Sequence, residues 1–186
     1  MEPITGSCPN MNMNKYPFAG KKYAFTVCRI EPENNIHVLL EAFAEGMYFP
    51  LVAVGNWDYS EYGRQLKNQY SSCSTIFMLD PIYEPEQLNA LRRNCFVYLH
   101  GHSCGGTNPS LVEAMYCQLS IIAYDVNFNR ETTENKALYF LAAEDLRKIC
   151  RETSDAQFAQ IAANMRQIAE RRYTWERISQ CYAGLL

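Results

Sequence analysis

Along most of this chain, short apolar runs of strand length alternate with stretches of helical periodicity, the pattern of a parallel sheet with helices packed on its faces. Tyr23–Cys28 is the first predicted strand. Behind it Ile36, Leu39, Leu40 and Phe43 recur at i, i+3, i+4 and i+7, the apolar stripe of a helix starting near Asn35. Further strand-like runs follow at Leu51–Val54, Thr75–Leu79, Cys95–His100, Ser120–Tyr124 and Ala137–Phe140. Between them lie a polar helix over Glu61–Tyr70, a helix from Pro85 through Asn94, and one beginning near Pro109; both prolines stand where a first helical turn tolerates them. From Ala143 onward the pattern is helical, with Phe158, Ile161, Ala162, Met165, Ile168 and Ala169 on one apolar face and Ile178, Cys181, Tyr182 and Leu185 on another. The fold class expected is α/β, a Rossmann-like doubly wound parallel sheet of about six strands with C-terminal helices. Those helices either cover the sheet or reach toward a second domain.

With 186 residues the chain suits a single domain, residues 23–186, behind a polar lead-in over 1–22. Lys and Arg number 17 against 20 Asp and Glu, a net charge of -3, too weak a field to make nucleic acid or an anionic membrane an obvious partner. A locally bound small anion remains open. The pairs Lys21-Lys22, Arg92-Arg93 and Arg171-Arg172 read as solvated faces. Hydrophobic residues at 48% exclude disorder, and no run approaches the roughly 18 apolar residues of a membrane span. The first residues carry Glu2 and no apolar core of a secretory signal, so a cytoplasmic location is expected. Eight cysteines, at 8, 28, 73, 95, 104, 117, 150 and 181, form no C-x-x-C and have no histidine at zinc spacing. They read as reduced thiols, and neither metal nor cofactor is expected.

The stretch His100-Gly-His-Ser-Cys-Gly-Gly-Thr-Asn-Pro-Ser-Leu-Val-Glu-Ala-Met115 carries the chemistry. It leaves the C-terminal end of a strand and enters a helix, where open α/β sheets place their ligand crevice. Gly105 and Gly106 let backbone approach a ligand, while Asn108 as N-cap and Pro109 at the first helical position define a start whose free N–H groups favour an anion such as a diphosphate. Glu113, about one turn further on, would lie near a sugar attached to that phosphate and accept its ribose hydroxyls. Read alone, Gly-Gly-Thr-Asn-Pro serves equally as a tight strand-to-helix turn. Neither G-x-G-x-x-G nor a P-loop is present. Arg29, at the end of the first strand, is placed to fork onto phosphate oxygens and neutralise a leaving group, or else to pair with Glu31 or Glu33.

Phe25-Thr-Val-Cys-Arg-Ile-Glu-Pro-Glu-Asn-Asn-Ile-His-Val-Leu-Leu-Glu-Ala-Phe43, Leu51-Val-Ala-Val-Gly55, the segment from His100 to Met115, and Asn129-Arg-Glu131 before Leu138-Tyr-Phe140 together resemble the C-terminal half of a family 4 glycosyltransferase over about residues 22–185. Glu-Pro-Glu-Asn-Asn and Gly-Gly-Thr-Asn-Pro-Ser-Leu resemble the rhamnosyltransferase-like subgroup that acts in bacterial surface polysaccharide and O-antigen synthesis. The resemblance implies one half of a two-domain GT-B fold and a retaining transferase. Its C-terminal domain binds a nucleoside-diphosphate sugar, and its N-terminal domain or a partner chain supplies the site for a glycan or lipid-linked acceptor, with at most peripheral contact at the inner face of the cell membrane. By position, Arg29 would meet the diphosphate, Thr107 and Asn108 the phosphate at the helix start, Ile82 the base and Glu113 the ribose. Arg29 and Glu113 are thus the catalytic candidates.

Two positions depart from the pattern: Asn34 stands where many relatives carry a lysine, and Gly105 where they carry a glutamate near the transferred sugar. His100 or His102 would then take over sugar contact. Asp58, Tyr59, Tyr62, Arg130 and Glu131 fall on predicted loops expected to face the same cleft. Two other readings stay open, half of a nucleotide-sugar epimerase and a non-catalytic nucleotide-binding module.

Overall fold

The computed structural model describes residues 16–183, apart from the side chains of Ile178, Cys181 and Tyr182. The lead-in up to residue 15, with Cys8, and the apolar face formed by Ile178, Cys181, Tyr182 and Leu185 lie outside the described residues. Six strands form one sheet: β1 (Ala24–Val27), β2 (Leu51–Val54), β3 (Ile76–Leu79), β4 (Val97–His100), β5 (Ser120–Tyr124) and β6 (Leu138–Phe140). All pairings are parallel and the order is β3-β2-β1-β4-β5-β6, as expected for a doubly wound sheet. The helices are α1 (Ile36–Ala44), α2 (Glu61–Tyr70), α3 (Pro85–Asn94), α4 (Pro109–Tyr116), α5 (Asn127–Thr132), α6 (Ala143–Glu152), α7 (Asp155–Arg172) and α8 (Trp175–Ala183).

Alternation along each strand splits the apolar residues between two cores. Ala24, Leu51, Ala53, Val97, Leu99 and Ile122 face the layer built by Leu39, Leu40 and Phe43 of α1 and Leu146 of α6. Phe25, Val52, Val54, Tyr98, Ile121 and Ala123 face the other layer, where Leu91 of α3, Leu111 and Met115 of α4, and Met165 and Ile168 of α7 close over them. With both faces covered, the inner strands read as nearly continuous apolar runs. Helix α7 covers the sheet, packing on α4 and β5, which decides between the two roles open to it from sequence. Its start is a capping box in which the Ser154 hydroxyl accepts from Gln157 N–H and the Gln157 side chain accepts from Ser154 N–H.

Three expectations need correction. Arg130 and Glu131 lie on the short helix α5 rather than a loop, because Asn129 buries its amide under the turn and donates to the carbonyls of Tyr124 and His102, both at 2.9 Å. Arg92 is not a solvated cation: its side chain is 3% exposed. Leu88, Leu91 and Arg92 share one stripe of α3, so the guanidinium is carried inward with the apolar residues. Arg172 is half-buried and donates to the Glu131 carbonyl, tying the end of α7 to α5.

The six described cysteines, Cys28, Cys73, Cys95, Cys104, Cys117 and Cys150, are all free. With no cross-link among them to constrain the unfolded chain, the melting temperature is expected to be the same with and without reductant. Parallel thermal melts check this, and a marked loss on reduction would overturn the reading.

Candidate functional site

The chain runs from β1 out to β3 on one side and returns to place β4 on the other side of β1, so the strand order reverses between β1 and β4. Connections leaving the two strands must therefore diverge, and a crevice opens at their C-terminal ends. One side is the β1–α1 connection, where Pro32–Asn34 forms a short 3-10 helix. The other is the loop from Gly101 to Asn108 ahead of α4.

Close contact locks these two connections together. A side chain at Gly101 would bring its Cβ to 2.2 Å from the Asn34 carbonyl oxygen, so only glycine permits the approach. Asn35 donates from Nδ2 to the Gly101 carbonyl at 2.9 Å, and both the backbone N–H and the hydroxyl of Ser103 donate to the Glu33 carbonyl at 2.8 Å. Asn34, one of the two positions that depart from the resemblance, is buried and donates to the Arg29 carbonyl at 2.8 Å. It supplies no cation; it holds the backbone that carries Arg29.

Two cavities meet at Val27, Cys28 and Arg29. The larger, about 660 Å³, has Arg29, His102, Gly105 and Asn108 on its walls together with Arg92 and Glu113. The smaller, about 370 Å³, is an apolar slot between Gly55, Tyr59, Pro81, Ile82 and Tyr83. The Asn108 side chain accepts from Ser110 N–H at 3.0 Å, the N-cap expected from sequence, with Pro109 opening α4. The N–H groups expected to be free are not, because Pro109 has none and those of Leu111 and Val112 donate to the Asn108 carbonyl, so the helix start offers an anion its dipole rather than open donors. Gly105 has φ +112°, a backbone state that side chains disfavour, and a Cβ at Gly105 or Gly106 would meet nothing within 4 Å. That turn is open toward the crevice rather than packed on protein.

Arg29 is 79% exposed and stands 3.2 Å from Glu31. Glu31 is itself only 23% exposed, but with water around the guanidinium the pair is worth about 0–1 kcal/mol, so a phosphate can displace the carboxylate at little cost. Glu113, by contrast, pairs with a buried cation: 26% exposed, it sits 2.7 Å from Nη2 of Arg92. Burial pushes the Cys28 thiol up to about 12, so at the junction of the cavities it stays protonated and Arg29 carries the charge.

The other candidates divide. His102 faces the crevice; burial first, then the nearby Arg29, holds it below the usual histidine range. His100 is buried, stacks on His102 at 4.4 Å and finds no partner for either ring nitrogen among the described residues. Desolvation keeps it neutral, so it supports His102 rather than lining the cavity. Thr107 turns toward α5, its hydroxyl 3.3 Å from that of Thr132. Of the loop residues expected at the cleft only Tyr59 lines it. Asp58 pairs with Lys67 at 2.7 Å, the Tyr62 hydroxyl lies 2.8 Å from His37 Nδ1, and Arg130 pairs with Asp125 while stacking on Tyr139. Polar residues after a strand were too common a signal to select among them. Arg92 and Tyr83 were missed; the spacing of Leu88, Leu91 and Arg92 was the available signal for the first.

Comparison with known proteins fits this geometry. The model of the family described as glycosyl transferases group 1 matches residues 11–160. The chain belongs to that family. HepE of Anabaena, crystallised with UDP-glucose, superposes with TM-score 0.77 at 21% identity over 90% of this chain and 49% of its own. TarM superposes with TM-score 0.74 at 13% identity, covering 88% of this chain and 34% of its own. The C-terminal domain of a glycosyl transferase group 1 family protein, LpcC of Francisella tularensis, gives TM-score 0.70 at 14% identity over 83% of this chain and 86% of that domain. The chain thus spans half or less of HepE and TarM, and the shared fold is the GT-B glycosyltransferase type. No curated protein matches it.

Two outcomes follow from these environments. Glu113→Ala leaves the Arg92 guanidinium buried without its counter-charge, so stability should fall by about 2–4 kcal/mol, against the 0.3–1 kcal/mol of a carboxylate that merely meets a helix dipole. Chemical denaturation measures the difference. His100 refuses a proton that the unfolded chain accepts below about pH 6.5, so stability should decline as pH falls from there. A His100→Phe variant should flatten that decline by up to about 1.4 kcal/mol per pH unit, read from denaturation at pH 7.5, 6.5 and 5.5.

Proposed function

We propose that this group 1 glycosyl transferase chain is the donor-binding domain of a retaining transferase, taking a nucleoside-diphosphate sugar into the crevice between β1 and β4. The observation that carries the reading is the meeting of an apolar slot and a polar cavity at Arg29, with the open Gly105-Gly106 turn and the start of α4 alongside. The base enters the slot beside Ile82. The diphosphate lies between Arg29 and the α4 N-terminus, where Asn108 shapes the turn, and Glu113 meets the ribose. The transferred sugar then faces His102, with Gly105 leaving room where a carboxylate would otherwise stand. Departure of a sugar puts negative charge on the diphosphate, and Arg29 with the positive end of the α4 dipole stabilises it without a nucleophile from the protein.

HepE and a trehalose-6-phosphate protein of E. coli were crystallised with UDP-glucose and UDP-2-fluoro glucose respectively, which makes uridine diphosphate the first nucleotide to test. The finer assignment, a family 4 enzyme of the rhamnosyltransferase-like subgroup working on a glycan or lipid-linked acceptor at the cytoplasmic side, rests on the motifs around Glu31 and Gly105. Among the described residues no helix is long and apolar enough to cross a membrane, and no group of His, Cys, Asp and Glu is placed to hold a metal.

Calorimetry with UDP, GDP, ADP and dTDP should show binding of at least one by the purified chain, and a transfer assay should show no turnover until a second α/β half is supplied. Arg29→Ala should weaken diphosphate binding by about 1.5–3 kcal/mol and leave the melting temperature little changed, since the guanidinium is exposed and its ion pair weak. Failure to bind any of the four, or indifference to Arg29→Ala, would overturn the assignment.

A further inference from the structure

The guanidinium of Arg92 is a permanent charge inside the protein, and such a charge is tolerated only with partners in good geometry. Its fork has two. Nη1 donates to Oδ1 of Asn89, one turn earlier on α3, at 2.6 Å, and Nη2 stands 2.7 Å from Oε2 of Glu113. Nε is buried and has no partner among the described residues. A guanidinium is planar and rigid, so fixing one arm to its own helix fixes the direction of the other. The second arm then determines where the Glu113 carboxylate sits. Without it, a glutamate side chain partly open to solvent samples several rotamers.

We propose that Arg92 is a positioning residue for nucleotide binding, holding Glu113 by Oε2 so that the carboxylate is set to receive a ribose hydroxyl. The inference rests on the donor-site reading above, in which Glu113 meets the ribose. Two features separate it from an ordinary structural pair. Both side chains line the larger cavity rather than the protein interior alone, and the pair joins two helices, α3 and α4, that flank the same strand end. Asn89 completes the device: it occupies the arm that would otherwise let the guanidinium turn toward a phosphate. Arg92 therefore acts on the nucleotide through Glu113, unlike Arg29, which is free to reach the diphosphate directly.

The test measures affinity of the full chain for UDP and for 2′,3′-dideoxy-UDP in the wild type, Arg92→Met, Arg92→Lys and the double variant Arg92→Met with Glu113→Ala. The wild type should prefer UDP by about tenfold or more, the scale of hydrogen bonds to a charged group. Arg92→Met should lose most of that preference by weakening UDP alone, with dideoxy-UDP bound as before. Adding Glu113→Ala should cost nothing further, because the two changes remove one shared contact. Arg92→Lys keeps the charge but not the fork, so its preference should fall between the two, and it carries the test if the methionine variant does not fold. Retention of the full preference in whichever variant folds, or equal weakening toward both ligands, would overturn the positioning role. A wild type that binds UDP but ignores the ribose hydroxyls would remove the role of Glu113 and this inference with it. A wild type that binds no nucleotide would instead count against the donor-site reading itself.

Discussion

The contact between the β1–α1 and β4–α4 connections is the constraint on which the site depends. Gly101 lies against the Asn34 carbonyl so closely that no side chain fits, and the amide of Asn35 and both donors of Ser103 fasten the two segments at 2.8–2.9 Å. Every one of these bonds uses backbone carbonyls of one loop and donors of the other. As a result the end of β1, with Arg29, and the start of α4 hold a fixed spacing without a ligand to define it.

Two ion pairs at the same crevice illustrate how burial divides structural from available charge. The Arg29 guanidinium is open to water over most of its surface, so its pair with the more buried Glu31 is weak and the guanidinium remains usable. Arg92 is sealed between α3 and α4, and its partner Glu113 cannot be removed without stranding it. Under the donor-site reading proposed above, the Glu113 carboxylate would serve stability and binding together. Substitutions at Glu113 must be read with both effects in view, whereas substitutions at Arg29 report on ligand alone.

The histidines show the same division along a single strand end. His100 is the last residue of β4 and lies inside; His102, two residues on, shares its side of the chain and lines the cavity. Burial lowers the affinity of both rings for a proton, helped by His102 at His100 and by Arg29 at His102. A neutral His102 carries one ring donor and one ring acceptor, which a cation could not.

What the amino-acid sequence determined by itself was local and periodic. Alternating apolar runs marked all six strands to within two residues, the stripe Ile36, Leu39, Leu40, Phe43 marked α1, and Asn108-Pro109 marked the start of α4, because each signal arises from neighbours in the chain. The parallel sheet and the place of the crevice followed from the order of those elements. Only tertiary structure decided which polar residues reach the crevice. Arg92 looked like half of a surface pair with Arg93 until α4 brought Glu113 against it. Asn34 looked like a lost cation until its amide proved to hold the Arg29 carbonyl. The physical reason is distance along the chain: Arg92 and Glu113 lie on different helices, as Gly101 and Asn34 lie on different connections, and their partners are set by how the sheet stacks those elements rather than by any periodicity within one of them.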